Sequence, residues 1–157
     1  MDEWEQYRYN QARAWLEHVR GLADAVDSAE RAVEYERAQM EQLSSIDYAR
    51  VRVSGTPTSP DIADILDRLN DNIRQYCANA SAYTDERRDC YDRLSRLESK
   101  TEAKALQLRY CMNHSWEYIE GAMGYTEGGI MKLRRTAIIH AYDVMPIEQR
   151  DPMHQAL

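Results

Sequence analysis

Leu108-Arg109-Tyr110-Cys111-Met112-Asn113-His114-Ser115-Trp116-Glu117-Tyr118-Ile119, then Met123-Gly124-Tyr125-Thr126, is the stretch that decides the fold. Ser115 and Thr126 each stand just before a new helical run, where a side-chain oxygen satisfies free backbone N–H groups. Gly124 follows the last apolar residue of the middle run, where a left-handed backbone closes a helix. Two caps and one glycine thus divide Thr101–Tyr142 into three helices. A short middle helix, a tight turn and a longer last helix predict a helix-turn-helix. That motif seats its last helix in a DNA major groove.

Upstream, the chain reads as two long helices. From Glu3 to Leu43 there is no proline, and Gly21 alone interrupts. Ala12, Val19, Val26, Val33 and Met40 recur every seven residues. Trp15, Leu22, Ala29 and Leu43 follow members of that row by three, with Glu36 breaking the second row. This is a narrow heptad seam. A second seam runs from Asp61 towards Ser99. Ile62, Leu69, Tyr76, Tyr83, Cys90 and Leu97 form one row; Leu66, Ile73, Ala80, Arg87 and Leu94 form its companion. Between the seams, Ser44–Pro60 reads as the connector. Its first part, Ile46–Val53, alternates as an extended strand does. Its second, Ser54-Gly55-Thr56-Pro57-Thr58-Ser59-Pro60, is turn chemistry. Ser59, Pro60 and Asp61 make a good helix start.

The expected fold class is therefore all-α: a long antiparallel coiled-coil-like helical hairpin followed by a C-terminal helix-turn-helix. Residues 1–99 form the hairpin, with its loop at 44–60, as an arm for dimerisation or a partner. Residues 100–145 form the helix-turn-helix and 146–157 a flexible tail, because Pro146 cannot continue a helix. A thin apolar stripe cannot hold a helix by itself, so the arm either pairs within one chain or joins a bundle of two chains. A homodimer is expected.

Composition narrows the function. The chain has 157 residues, no Phe, few Gly and Pro, and a net charge of −7. No apolar run approaches the ~20 residues that span a bilayer, and the acidic start Met1-Asp2-Glu3-Trp4-Glu5 lacks the features of a signal peptide. A cytoplasmic protein and no membrane partner are expected. After residue 99 there are seven Lys/Arg and seven Asp/Glu, so all of the net −7 lies before it. An acidic arm with a neutral, partly basic C-terminal part is compatible with DNA.

Cys77, Cys90 and Cys111 are odd in number and form no Cys-x-x-Cys, so small buried side chains are expected. His18, His114, His140 and His154 lack metal-ligand spacing. The row Asp61, Asp64, Asp67 and Asp71 reads as a solvated helix face rather than a cation site. No phosphate loop, nucleophile elbow or His-Glu-x-x-His occurs. No cofactor, no metal and no enzyme activity are expected. The tyrosines, among them Tyr76 and Tyr83 on the seam, read as core filling before base stacking.

On the last helix, Ile130, Leu133, Ala137 and Ala141 share one face and should pack inward. The opposite face offers Glu127, Gly128, Met131, Lys132 and Arg135. Lys132 and Arg135 are placed to meet phosphates or guanine edges, and Arg134, at the border of that face, is placed to reach a backbone phosphate. Thr126 and the N–H groups of Glu127 and Gly128 make a positive helix end suited to a phosphate. Ser115 opens the middle helix and is placed to touch the opposite strand.

These residues also carry a family resemblance. Leu108-Arg109-Tyr110, Ser115-Trp116-Glu117-Tyr118-Ile119, Met123-Gly124-Tyr125-Thr126 and Lys132-Leu133-Arg134-Arg135 resemble region four of bacterial sigma factors. The version is the one carried by phage transcriptional activators of the RinA and ArpU type. The loop Val53–Asp61 between long helices is similar in outline. The resemblance implies a phage or prophage regulator in a bacterial host cell that activates late or packaging genes and binds double-stranded DNA, with an acidic arm that dimerises or contacts RNA polymerase or another host protein. Two positions depart from the family pattern. Gly128-Gly129 leaves the first turn of the reading helix without side chains, at ~1 kcal/mol each relative to alanine. Glu120 stands where the family has a small residue, and must reach solvent or splay the helices. Both features, with the acidic arm, also fit an alternative: a helical interaction factor that binds a host protein as an inhibitor or assembly factor.

Overall fold

A computed structural model describes residues 1–54 and 60–151. The protein is all-α, with a long N-terminal helical hairpin followed by shorter helices. The hairpin is α1 (Glu3–Ser54) and α2 (Pro60–Leu94). Next come α3 (Lys100–Leu106), a π-helical turn (Gln107–Cys111), α4 (Trp116–Met123), α5 (Glu127–Ala141) and a 3-10 turn (Ile147–Gln149).

Helix α1 begins with a reciprocal cap. Asp2 Oδ1 accepts from the Glu5 N–H at 2.7 Å, and Glu5 Oε2 accepts from the Asp2 N–H at 3.3 Å. These are two otherwise orphaned donors satisfied together. The helix then runs to Ser54, so Ser44–Ser54 is helical where a connector, partly extended, is expected. The physical reason is cooperativity: adding residues to a formed helix costs far less than starting one, and this outweighs the alternating pattern of 46–53. The rest of the expected loop, 55–59, lies outside the described residues, as does Ser59. Pro60 is the first residue of α2, as its fixed φ favours. Helix α2 ends at Leu94, five residues short of Ser99. No proline or glycine marks this stop. Side chains close it: Lys100 Nζ donates to the Ser95 and Leu97 carbonyls, and Gln107 Nε2 to the Tyr91 carbonyl.

The chain divides into two compact units. The mid-chain unit, Ala25–Tyr83, contains the middle of the heptad seams. Ala29, Val33, Ile62 and Leu69 are each 8% exposed, while Val26, Met40, Leu66, Ile73, Tyr76 and Tyr83 remain half-buried. Two helices alone cover each stripe from one side only. Cys77 is exposed, contrary to the expectation of burial. It follows seam residue Tyr76 by one position, and 100° of helical rotation turns it outward. Asp64, Asp67 and Asp71 are exposed, as a solvated face requires.

The terminal unit joins Met1–Asp24 to Thr84–Leu157. Its core takes Ala12, Trp15, Leu16 and Val19 from α1, Cys90 and Leu94 from α2, and Leu106, Tyr110 and Ile138 from the later segments. The start of α1 thus belongs with the C-terminal helices, whereas the sequence places a boundary at residue 99. Trp4 and Tyr7 stack at 5.5 Å, and Tyr7 meets Tyr142 edge-on at 6.2 Å. Arg8 pairs with Asp143 at 2.8 Å. Residues 147–151, expected in a flexible tail, are docked. Arg150 lies 4.3 Å over the Tyr142 ring and donates to its carbonyl at 2.7 Å. The Asp151 N–H donates to Gln11 Oε1 at 2.9 Å. The residues after Asp151 lie outside the described residues. Among the described residues no helix is long and apolar enough to cross a membrane.

Candidate nucleic-acid interface

Helices α4 and α5 open on the two predicted caps. Ser115 Oγ accepts from the Tyr118 N–H at 3.1 Å, and Thr126 Oγ1 from the Gly129 N–H at 3.1 Å. Gly124 has φ +73°, and the N–H of Tyr125 donates to the Glu120 carbonyl at 3.0 Å. A left-handed residue here closes α4 and starts the turn into α5. Ser99 caps α3 in the same way, accepting from the Glu102 N–H at 3.2 Å.

Between these helices lies a small closed core. Ile119 is fully buried against Ala105 and Ile130, with Leu108, Trp116, Met123, Tyr125 and Leu133 around them. Glu120 is half-buried, and the neighbouring Ile119 has no exposed surface, so the carboxylate does not splay the helices at this point. Glu102 is buried, and its carboxylate faces His140 Nδ1 at 2.8 Å and ties α3 to α5.

On α5, Ile130, Ala137 and Ala141 are buried and Leu133 half-buried, as the face assignment requires. Thr126, Glu127, Gly128, Met131, Lys132 and Arg135 are exposed, Met131 by 62%. Ser115 is exposed at the start of α4. The two glycines of the first turn differ. A Cβ on Gly129 would stand 3.1 Å from Thr126 Oγ1 and 3.3 Å from Tyr125 Cδ1, so glycine there lets the cap close. A Cβ on Gly128 would meet nothing within 4 Å.

Arg134 behaves differently from its neighbours. It is half-buried, with its guanidinium 5.1 Å from the centroid of Trp116. Arg109 lies over the same ring at 5.8 Å and donates to the His114 carbonyl at 3.1 Å. Arg20, from α1, donates through Nε to Asn113 Oδ1 at 3.1 Å. Asn113 has φ +59°, a left-handed conformation that asparagine tolerates better than most residues. Burial first, then the charge of Arg20, lowers the pKa of Arg109; Arg134 acts in the same direction, and Glu17 opposes. The sequence points to Arg134 but not to Arg20 or Arg109. Periodicity shows which face of a helix is buried, not which residue 93 positions away it meets.

The buried thiols of Cys90 and Cys111 lie together in the terminal unit. Their mutual hydrogen bond, and then burial, push the Cys90 pKa well up, while the same bond lowers that of Cys111. A guanidinium nitrogen of Arg87 donates to the Cys111 carbonyl. The seam's one polar interruption thereby ties α2 to the π-helical turn. Compared with protein-family models, with curated proteins and with solved structures, the chain matches none.

Proposed function

We propose that this protein is a DNA-binding regulator of transcription in which α4 and α5 act as a helix-turn-helix. Helix α5 enters the major groove. Lys132 and Arg135 meet phosphate or guanine edges, and Met131 offers apolar contact to bases. Thr126 and the N–H groups of Glu127 and Gly128 supply a positive helix end for a phosphate, and Ser115 a second contact at the start of α4. The observation that carries the proposal is the two-sidedness of α5. One side closes on Ile119, and the other leaves Met131, Lys132 and Arg135 exposed. The half-covered seam of the mid-chain unit supports association of two chains through it. By resemblance to phage activators of the RinA and ArpU type, the regulator switches on late or packaging genes and contacts RNA polymerase.

A gel shift with duplex DNA at low salt tests the proposal, with Lys132→Ala and Arg135→Ala as controls. Binding that both substitutions weaken is expected, because electrostatic contacts are strongest there. No shift at low salt would reject it. A second reading, a helical factor that binds a host protein, draws on the exposure of Tyr118 (53%) and Met131 (62%). It predicts a stoichiometric protein complex that survives nuclease treatment and depends on those two side chains.

A further inference from the structure

The turn between the π-helical segment and α4 gathers cations from three separate parts of the chain. Arg20 of α1 holds Asn113 at 3.1 Å, Arg109 holds the His114 carbonyl at 3.1 Å, and Arg134 of α5 stacks on Trp116 at 5.1 Å. These interactions leave most of the guanidinium donors uncommitted. Each guanidinium carries five N–H bonds. Among the described residues the Arg134 side chain makes no hydrogen bond or ion pair, and its Nε is buried without an acceptor, as is that of Arg109. Two carboxylates border the group: Glu17, 3.5 Å from Arg20, and Glu117 in the first turn of α4.

A structural explanation covers part of this. Two guanidiniums over one indole contribute about 0.5–1 kcal/mol each at partly exposed sites. That does not require like charges to gather, nor the third arginine. Arg20 and Arg109 use only one or two of their five donors and the Arg134 side chain none, and partly buried donors without acceptors are disfavoured unless something supplies them. A phosphate oxyanion does so, since guanidinium forks match its oxygens two at a time. The N-terminus of α4, with Ser115 as its cap, opens at the same turn.

We propose that Arg20, Arg109 and Arg134, grouped around Asn113–Trp116, form a seat for a phosphate oxyanion. If the function proposed above holds, on which this identification of the source rests, the occupant is a phosphodiester of the DNA backbone. Arg20 then makes the first long helix part of the DNA-contacting surface. Arg134 serves the backbone rather than the bases.

The test measures affinity of the full chain for a random-sequence duplex as salt is raised. Removing one cation that pairs with a phosphate lowers the slope of log K against log salt by about 0.9, which near 0.1 M salt is roughly a fivefold to tenfold drop in affinity. Arg20→Gln and Arg134→Gln should each show this, Arg20→Lys should recover part of it, and Arg13→Gln, an exposed site on α1, should not. Thermal melts by circular dichroism establish that each variant is folded. A second arm titrates inorganic phosphate and follows the melting temperature of wild type and Arg20→Gln. Duplex binding that weakens with Lys132→Ala but keeps its slope in both Arg→Gln variants overturns the seat and leaves the proposed function standing. Stabilisation by phosphate that needs Arg20, without any duplex binding, supports the seat and rejects DNA as its source. Binding of neither probe overturns both.

Discussion

Replacing Ile119 by alanine tests the packing that presents α5. The side chain has no exposed surface and sits where α3, α4 and α5 meet, beside Ala105 and Ile130. Alanine removes three carbons, worth about 0.8 kcal/mol each on transfer from water, or about 2.4 kcal/mol together. The cavity left behind adds to this. Ala105 cannot extend to fill it, but the half-buried Leu108 and Leu133 can shift, so the whole cost should be about 3–4 kcal/mol. Valine removes one carbon and should cost about 1 kcal/mol. Urea unfolding followed by circular dichroism, with the slope m unchanged, gives both values. Exchange of the α4 amide hydrogens shows whether the loss is local or global. If alanine costs no more than valine, or less than about 1 kcal/mol, the three helices do not close on Ile119. The two-sidedness of α5 would then have no structural support.

Other perturbations separate neighbouring explanations. Gly128→Ala should stabilise the protein by about 0.5–1 kcal/mol, since its Cβ meets nothing, whereas Gly129→Ala should gain nothing because its Cβ presses on Thr126. Thermal melts of the two variants compare them directly. Ser115→Ala removes the hydroxyl that caps α4 and should cost about 1 kcal/mol, read from the same melts. A thiol reagent should modify Cys77 rapidly in the folded protein and Cys90 and Cys111 only on unfolding. Deleting residues 1–24 takes Trp15, Leu16 and Val19 from the terminal core at roughly 1.5–3 kcal/mol each, together comparable to the whole stability of a domain. The remaining chain should lose its cooperative melt, and a retained melt would show that the C-terminal helices fold unaided.

The legible parts of this fold are those set by local rules. The seams at Ala12, Val19 and Val33 and at Ile62, Leu69 and Cys90 face inward because a heptad repeat fixes one side of a helix. Ser115, Gly124 and Thr126 mark helix ends because backbone groups there need partners within three residues. What stayed hidden depends on contacts across the chain. Glu102 follows Ser99 by three, a spacing that normally bends the carboxylate back to its own helix end. Here it reaches His140, 38 residues on. The stop at Leu94 rests on the reach of Lys100 and Gln107. Arg20 reads as one more charge on a solvated face until Asn113 is placed beside it.

Charge bears directly on the proposed DNA binding. A chain of net charge −7 has no broad positive field to draw in DNA. At 0.1 M salt, charges more than about 10 Å apart are largely screened, so the acidic residues far from a contact weigh little once it forms. They oppose the approach but not the seated complex. In the proposed complex with DNA, affinity must then come from a few cations within that radius: Lys132 and Arg135 on α5, and the arginines grouped at the turn before α4. Neutralising any one of these should therefore weaken binding far more than neutralising an exposed arginine elsewhere, such as Arg13. Neutralising acidic residues of the mid-chain unit should raise the association rate at low salt and leave dissociation nearly unchanged. A binder driven by overall charge would show the opposite ranking, with every substitution that adds a positive charge slowing dissociation alike.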